Sequence, residues 1–431
     1  MMYFENIQYI QNNYESNISL AVFRICFSIV LIVQTIYFFK LGFIENNILK
    51  PFILFPFFDF LNKPSELLIY LSAVLMLISN IGMIFNKTSR ISCLIFFLAF
   101  TYLWLLDRGY FNNHYYFISI ITFLLFFLNK KSSFKKNYYV PKINIIAFQI
   151  MIFLIYFISG VNKINPYWIF DLQPMTHILQ TKAQVSGNNL FSNYFIISLF
   201  TFSGLIYDLV IGFFLIFKRT RILGFIFVLI FNSLNFFLFK DVGEIGVFPF
   251  LMISTLVLFI EPVKIQKLLK VKKKEKIILH NKSFVNHLIV FFIIVQILLP
   301  FRHVLVKGNV DYNGVGQRFA WRMKIMYKES KIDFLLKNKL TGDKYNVDVT
   351  KMLTPIQYNN LKYYPDLILP LAHKMKSQAI NEFGIKYPEV TCLFKTSFMG
   401  KKEQLLFSPE KDLTLIPINS KATNWLFELE K

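Results

Sequence analysis

The sequence predicts an α-helical integral membrane protein of about nine transmembrane helices with a C-terminal α+β domain outside the bilayer. Three observations carry this. Of 431 residues 55% are hydrophobic, 18% aromatic and only 17% charged, too apolar for a soluble chain of this length. The apolar residues fall in runs of roughly 18 or more, enough to cross a ~30 Å hydrocarbon core as helices. From about residue 301 those runs shorten and charges mix with apolar residues at strand and turn spacing. These features exclude a soluble enzyme, a disordered chain and a disulfide-stapled secreted domain. Cys26, Cys93 and Cys392 form no framework and no zinc pattern, and no metal is expected.

The candidate spans are 18–39, 68–86, 91–106, 114–128, 143–160, 195–217, 222–239, 246–261 and 284–300, the third, fourth and eighth being short. The first has no basic n-region and no small-residue cleavage site, so it is expected to remain as a helix. The apolar stretch 51–62 contains Pro51, Pro56 and Asp59 and is expected to be re-entrant or interfacial. In the tail, Lys331–Leu340, a turn at 341–344 and Tyr345–Val349 read as a hairpin. Thr354–Asn381 reads as a helix interrupted near Pro365 and Pro370, and Val390–Ser397 and Gln404–Phe407 read as two further strands. The division is therefore residues 1–300 for the helical membrane domain and 301–431 for the α+β domain.

Basic residues set the orientation. Alternate loops hold Lys87 and Arg90, then Lys130, Lys131, Lys135, Lys136 and Lys142, then Lys218, Arg219 and Arg221, then eight lysines between Lys264 and Lys282. The other loops hold only Lys40, Lys50, Lys63, Arg108, Lys163, Lys182 and Lys240. A bias of 18 to 7 points the basic set to the cytoplasm. The expected location is a multi-pass inner (plasma) membrane protein, N-terminus cytoplasmic, residues 301–431 periplasmic or otherwise extracytoplasmic. The net charge of +22 sits mainly in loops rather than on a basic face, so membrane lipid is an expected partner and nucleic acid is not.

Polar groups near apolar spans are functional candidates because each is costly if unsatisfied. They cluster at Asp107–His114, at Ser159–Trp168, at Asn232 and Asn235, and at Pro300–His303. The charge bias puts all four at one leaflet, where they would form a polar pocket roofed by the tail. Each has a plainer reading too. Lys163 fits a snorkelling lysine, Asn112-Asn113-His114 a helix cap, Asn232 and Asn235 interhelical glue, and Trp104 and Trp168 an aromatic belt. His303 fits a satisfied boundary histidine. No HExxH, P-loop, GxSxG or dinucleotide fingerprint is present, which removes metal hydrolysis, ATP hydrolysis and serine-esterase chemistry.

Several strings resemble the vitamin K-dependent gamma-carboxylase and HTTM family. Phe111-Asn112-Asn113-His114-Tyr115-Tyr116 is similar to its NNH segment, and Ser159–Trp168 to its G-x-x-K-hydrophobic-x-x-x-W signature. Ser203–Leu209 is similar to its G-L-x-x-D-L helix, Leu299–His303 to LPxRH and Arg318–Met323 to RFSWRM. Met399-Gly400-Lys401 with Pro409–Leu413 resembles its NGR…DPxxDL stretch. The resemblance runs from about Arg24 to the C-terminus. It departs at Asn232, where the family often has His, at Ala320, where it has Ser, and at Met399-Gly400-Lys401.

The resemblance implies a reaction in which oxidation of a reduced naphthoquinone to its epoxide, with O2, drives addition of CO2 to protein glutamate. Reduced vitamin K or a menaquinone-like hydroquinone is then the expected cofactor, and a protein or peptide glutamate the expected substrate. It assigns deprotonation of the hydroquinone to Lys163 and polarisation of its oxygens to His114. Asn112, Asn113, Asn162, Trp168, Asn235 and His303 are expected around the quinone, and Arg318, Trp321 and Arg322 at the glutamate substrate, Arg being suited to carboxylate. Burial favours the neutral amine that a general base needs, so Lys163 is expected to lack a fixed carboxylate partner and to face His114 across one apolar cavity. The alternatives are a non-catalytic or transport-type protein on the same helices and a quinone-linked oxidoreductase without carboxylation. Inverted repeats and broken midplane helices, expected of a transporter, are not found, and the oligomeric state is left open.

Overall fold

Long apolar sequences bury their backbone polar groups in helices, and that decides the first 300 residues. The computed structural model describes residues 14–61, 64–129, 137–239, 245–271 and 276–430. Its helices are α1 (Ile18–Lys40), α2 (Glu66–Ile84), α3 (Ser89–Leu105), α4 (Asn113–Leu128), α5 (Ile143–Asn162) and α6 (Met175–Ser186). They continue as α7 (Tyr194–Ile216), α8 (Arg221–Phe239), α9 (Phe248–Ser254), α10 (Pro262–Leu268) and α11 (Ser283–Leu298). Six are long and apolar enough to cross a membrane, counting α11 with the 3-10 turn that follows it. The α9 segment and α10 make a seventh if their 102° bend falls within one span. The bend follows from Pro262, which disfavours helical backbone at Glu261 and leaves it extended, at φ −58° and ψ 127°.

The expected nine spans are therefore six or seven by length and hydropathy. The helices α3 and α4, of 17 and 16 residues, reach only about 25 Å at ~1.5 Å per residue. Both end against the polar 107–113 loop, which cuts their apolar runs short. Their packing is nonetheless internal. Phe117, Ile121, Leu124 and Leu125 on α4 are fully buried, as are Phe23 and Phe27 on α1 and Phe148 and Ile152 on α5.

A small sheet closes one end of the bundle. The strands β1 (Tyr14–Ser16), β2 (Asn137–Pro141) and β3 (Lys276–Ile278) pair in that order, antiparallel and then parallel. They join the segment before α1, the α4–α5 connection and the segment before α11, the last two from the basic set of loops. Lys130, Lys131, Lys135, Lys136, Lys272, Lys273 and Lys274 of that set lie outside the described residues, as do Lys63 and Lys240.

At the other end sits the C-terminal region. Its antiparallel sheet runs β5-β4-β6-β7, from β4 (Lys328–Asn338), β5 (Lys344–Val347), β6 (Pro388–Phe398) and β7 (Gln404–Leu405). The register pairs Ile332 with Phe394, Phe334 with Cys392 and Leu336 with Val390. Period-2 alternation puts these on one face, where α13 (Ile368–Asn381) contributes Leu371, Ala372, Met375 and Ala379 to their core. The helix break occurs at Tyr364 and Pro365, after α12 (Pro355–Tyr363). Pro370 causes none, because it occupies the first turn of α13, where an N–H has no helical partner to lose.

Residues 51–61 of the stretch expected to be re-entrant or interfacial form no helix beyond a 3-10 turn at Asp59–Leu61. The rest is irregular, with Phe57 N donating to Leu105 O at 3.1 Å and Arg108 N to Phe55 O at 2.7 Å. Ile53 and Phe55 belong to the core of the C-terminal region, so this connector ties the two parts together. Residues 62 and 63 lie outside the described residues.

Candidate active site

The site begins with a glycine. A Cβ on Gly160 would stand 2.8 Å from Leu209 N, so only glycine lets α5 approach α7 this closely. Lys163, one turn on, closes α5, and Asp208 projects from α7. Lys163 Nζ donates to Asp208 Oδ2 at 2.5 Å, with 8% and 4% of the two side chains exposed. The ammonium also lies 5.1 Å from the Trp168 ring centroid. That ring is fixed by Asn165 capping Trp168 N at 3.0 Å and by Trp168 Nε1 donating to Thr201 O at 3.1 Å. Tyr156 and Tyr207 meet edge to face at 5.6 Å, and Tyr207 stacks on Phe231 at 3.8 Å. Ser159 Oγ, Tyr156 Oη and Tyr207 Oη are buried without a hydrogen bond of good geometry.

His114 opens α4. Asn112 Oδ1 accepts from His114 N at 3.0 Å, and the imidazole stacks on Phe248 at 4.4 Å, nearly parallel. One strap of the C-terminal region holds this loop and the Lys163 loop together. Asn113 Nδ2 donates to Arg322 O at 3.2 Å, and Asn162 Nδ2 to Ala320 O at 2.9 Å. Arg322 Nη1 donates to Asn162 Oδ1 at 2.8 Å, while Nε and Nη2 bind Asp311 at 2.8 and 2.6 Å. Phe319, Trp321 and Lys324 take φ of 63°, 52° and 50°, a left-handed backbone that costs each on the order of 1 kcal/mol. Strain of this kind gathers at functional sites. It is offset by burial, since Trp321 is fully enclosed in the helical core and packs on Tyr116 at 5.0 Å.

A second joint lies beside it. Asp366 binds Arg318 Nη1 at 2.9 Å and Arg108 Nε at 3.3 Å, and burial, which would raise it, is outweighed by these charges, so it stays below the usual carboxylate range. Asp107 accepts from Gly109 N at 2.6 Å and Gln357 Nε2 at 2.7 Å. Burial pushes its carboxyl up to about 7 against those bonds and the Arg108 charge.

Comparison with known families follows this division of the chain. The HTTM domain family model matches residues 12–263. The model described as vitamin K-dependent gamma-carboxylase, lumenal domain, matches residues 281–431. The chain belongs to the HTTM/gamma-carboxylase family. No solved structure matches it.

Within this HTTM-family chain the expected residues divide into those the strap gathers and those it does not. Asn113, Asn162, Trp321 and Arg322 meet along it, with Lys163, Trp168, Asn112 and His114 adjoining. His303 lies within electrostatic reach of the Arg322–Asp311 pair, its Nδ1 bonded to Pro300 O at 2.9 Å, with Gly316, at φ +84°, tight against its Cβ. Asn235 is half-buried and makes no hydrogen bond among the described residues. Its neighbour Asn232 donates to Val228 O of its own helix at 2.8 Å.

One expectation is corrected. Lys163 does have a fixed carboxylate partner, because Gly160 brings α7 and Asp208 against it. No hydrogen bond, ion pair or ring contact joins His114 and Lys163 among the described residues. The apolar pocket between α1, α2, α3 and α4, lined by Phe38, Ile44, Met76, Phe100, Trp104 and Tyr115 among others, includes neither. Of the residues expected at the glutamate substrate, Arg318 keeps Nε and Nη2 without a hydrogen bond. The Arg318 and Arg322 guanidiniums are engaged by Asp366 and Asp311, and Trp321 is buried.

Asp208 is the residue that sequence reasoning passed over. It stood inside the Ser203–Leu209 string, and an acid in the middle of a 23-residue apolar helix is itself the signal of a buried partner.

Proposed function

We propose that this chain is a gamma-carboxylase-like membrane enzyme that couples oxidation of a reduced naphthoquinone to carboxylation of protein glutamate. The observation that carries this reading is the buried Lys163 beneath a strap of the lumenal-type domain, in a chain whose two halves match the two domains of the family. A hydroquinone fits the residues present. Ser159 Oγ and the Asn113 side-chain carbonyl are buried without a partner, and the Tyr156 and Tyr207 hydroxyls interact with each other, a polar lining for a small ligand with two phenolic oxygens. When bound, the quinol supplies the oxidisable ring, with O2 and CO2 as co-substrates.

The chain's own residues supply the rest. Lys163 holds or takes the phenolic proton, Trp168 and the tyrosines present flat aromatic walls, and His114 polarises an oxygen from the α4 side. The strap excludes water, which an open site would admit to quench a strong base. With Arg322 internally paired, the glutamate substrate enters past the strap rather than onto that guanidinium. The charge bias supports an extracytoplasmic position for this domain.

The test uses the protein in lipid nanodiscs with reduced naphthoquinones, O2, labelled bicarbonate and a glutamate-rich peptide. Epoxide and fixed label should both form, and Lys163→Ala should abolish epoxidation while the protein still folds. Epoxide without fixed label would make it an oxidoreductase lacking carboxylation. Neither product with any naphthoquinone would overturn the reading.

A further inference from the structure

The Lys163–Asp208 contact alters what a base here has to be. An ammonium bonded to a carboxylate at 2.5 Å has no lone pair with which to accept a proton. Yet both groups are buried, and taking two ions out of water costs several kcal/mol each before their attraction returns it. Moving one proton along the hydrogen bond leaves both groups neutral and keeps the bond. Among the described residues Lys163 is the one group bonded to the Asp208 carboxylate. The other groups that face the pair do not compete for this proton. Tyr156 and Tyr207 are neutral phenols, and Arg322, reached through Asn162, is already neutralised by Asp311.

We propose that Asp208 is a positioning residue that stores the proton of Lys163, so that the working base is the pair rather than the lysine. The substrate in this argument rests on the carboxylase reading, while the proton exchange within the pair does not. In the first step the Nζ–H bond breaks and an Oδ2–H bond forms, the electron pair staying on nitrogen. The result is an amine facing a carboxylic acid. In the second, an acidic O–H of the bound substrate breaks, its electron pair stays on oxygen, and a new Nζ–H bond forms. When product leaves and water re-enters, loss of the Asp208 proton to that water resets the pair. No oxidant or reductant enters. Gly160 acts in the same scheme by setting the distance between α5 and α7.

The test compares the parent protein with Asp208→Asn and Asp208→Glu in nanodiscs. Lys163 is acylated with a membrane-permeant amine reagent across a pH series and quantified by peptide mass spectrometry. Without the carboxylate the ammonium loses its counter-charge, so Asp208→Asn should raise Lys163 acylation at neutral pH by about tenfold. Asp208→Glu should restore the parent profile. Infrared difference spectra on adding a reduced naphthoquinone should show a carboxylic-acid carbonyl band in the parent that is absent from Asp208→Asn. Equal acylation profiles in folded parent and Asp208→Asn protein, or the band persisting in Asp208→Asn, would overturn the proposal. If Asp208→Asn fails to fold, Asp208→Ser replaces it in the acylation series, and a parent that epoxidises the quinone without showing the band overturns the proposal. Because acylation needs no turnover, a parent lacking epoxidation would defeat the carboxylase reading and leave this result standing.

Discussion

Gly160 shows how much one missing methyl group decides. A Gly160→Ala change puts a Cβ 2.8 Å from a backbone nitrogen of α7, and backbone cannot rotate away as a side chain can. Overpacking of this kind costs typically about 1–3 kcal/mol. Thermal unfolding in nanodiscs should show that loss, together with Lys163 acylation altered in the direction given by Asp208→Asn. Lys328 makes a second residue-scale case. Its Nζ donates to Tyr312 O at 2.7 Å and Tyr363 O at 3.1 Å, and burial pushes it down to about 7, against the attraction of Asp311. The unfolded chain therefore binds more protons between about pH 7 and the ordinary lysine range. Stability should rise with pH through that window and be lowest below it. Lys328→Met should flatten that rise in a series of unfolding midpoints. A burial of this kind has no mark in the sequence, where Lys328 is one of many lysines at a strand start.

At the scale of elements, the strap over 317–324 is the joint between the two parts. Trp321 is its anchor and Arg322 its clasp. Truncating a buried tryptophan costs about 3–5 kcal/mol, and removing one partner of a buried ion pair a similar amount. Trp321→Ala and Arg322→Ala should each loosen the C-terminal region from the helices. Limited proteolysis should then cut near residues 301–324 at protease levels that leave the parent intact. The helices, the tail hairpin and β6 were legible because their apolar periods are long and regular. The three-stranded sheet β1–β3 was not. Its strands are three to five residues, too short for a period to show, and its partners are more than a hundred residues apart. The burial of Ile53 and Phe55 in the C-terminal core was not legible either, because nothing local distinguishes it from burial in lipid.

For the whole molecule, the two ends of the bundle are chemically different. The loops counted as basic converge on β1–β3, and the loops at 107–113, 162–168 and 299–305 lie towards the C-terminal region. The charge bias predicts that the first end faces the cytoplasm. In intact cells an impermeant thiol reagent should label a cysteine introduced at Thr341 and spare one at Lys87. Labelling at Lys87 with protection at Thr341 would invert the orientation. Thr341 and Lys87 lie in exposed turns, so folding is not at stake in either variant.

Composition and hydropathy period determined by themselves that this chain is a bundle of apolar helices with an α+β tail, because burying backbone in lipid or in a sheet core imposes those patterns locally. The short motifs determined the family, because their order along the chain survives without any knowledge of the fold. Tertiary structure alone decided the partners. Whether Lys163 stands free or beside Asp208, whether Arg322 reaches outward or grips Asp311, and whether Trp321 lines a surface or fills a core depend on which distant segments approach. Those approaches are set by close packing between helices and by a strap whose backbone takes an unfavourable conformation, and neither leaves a periodic trace in the residues concerned.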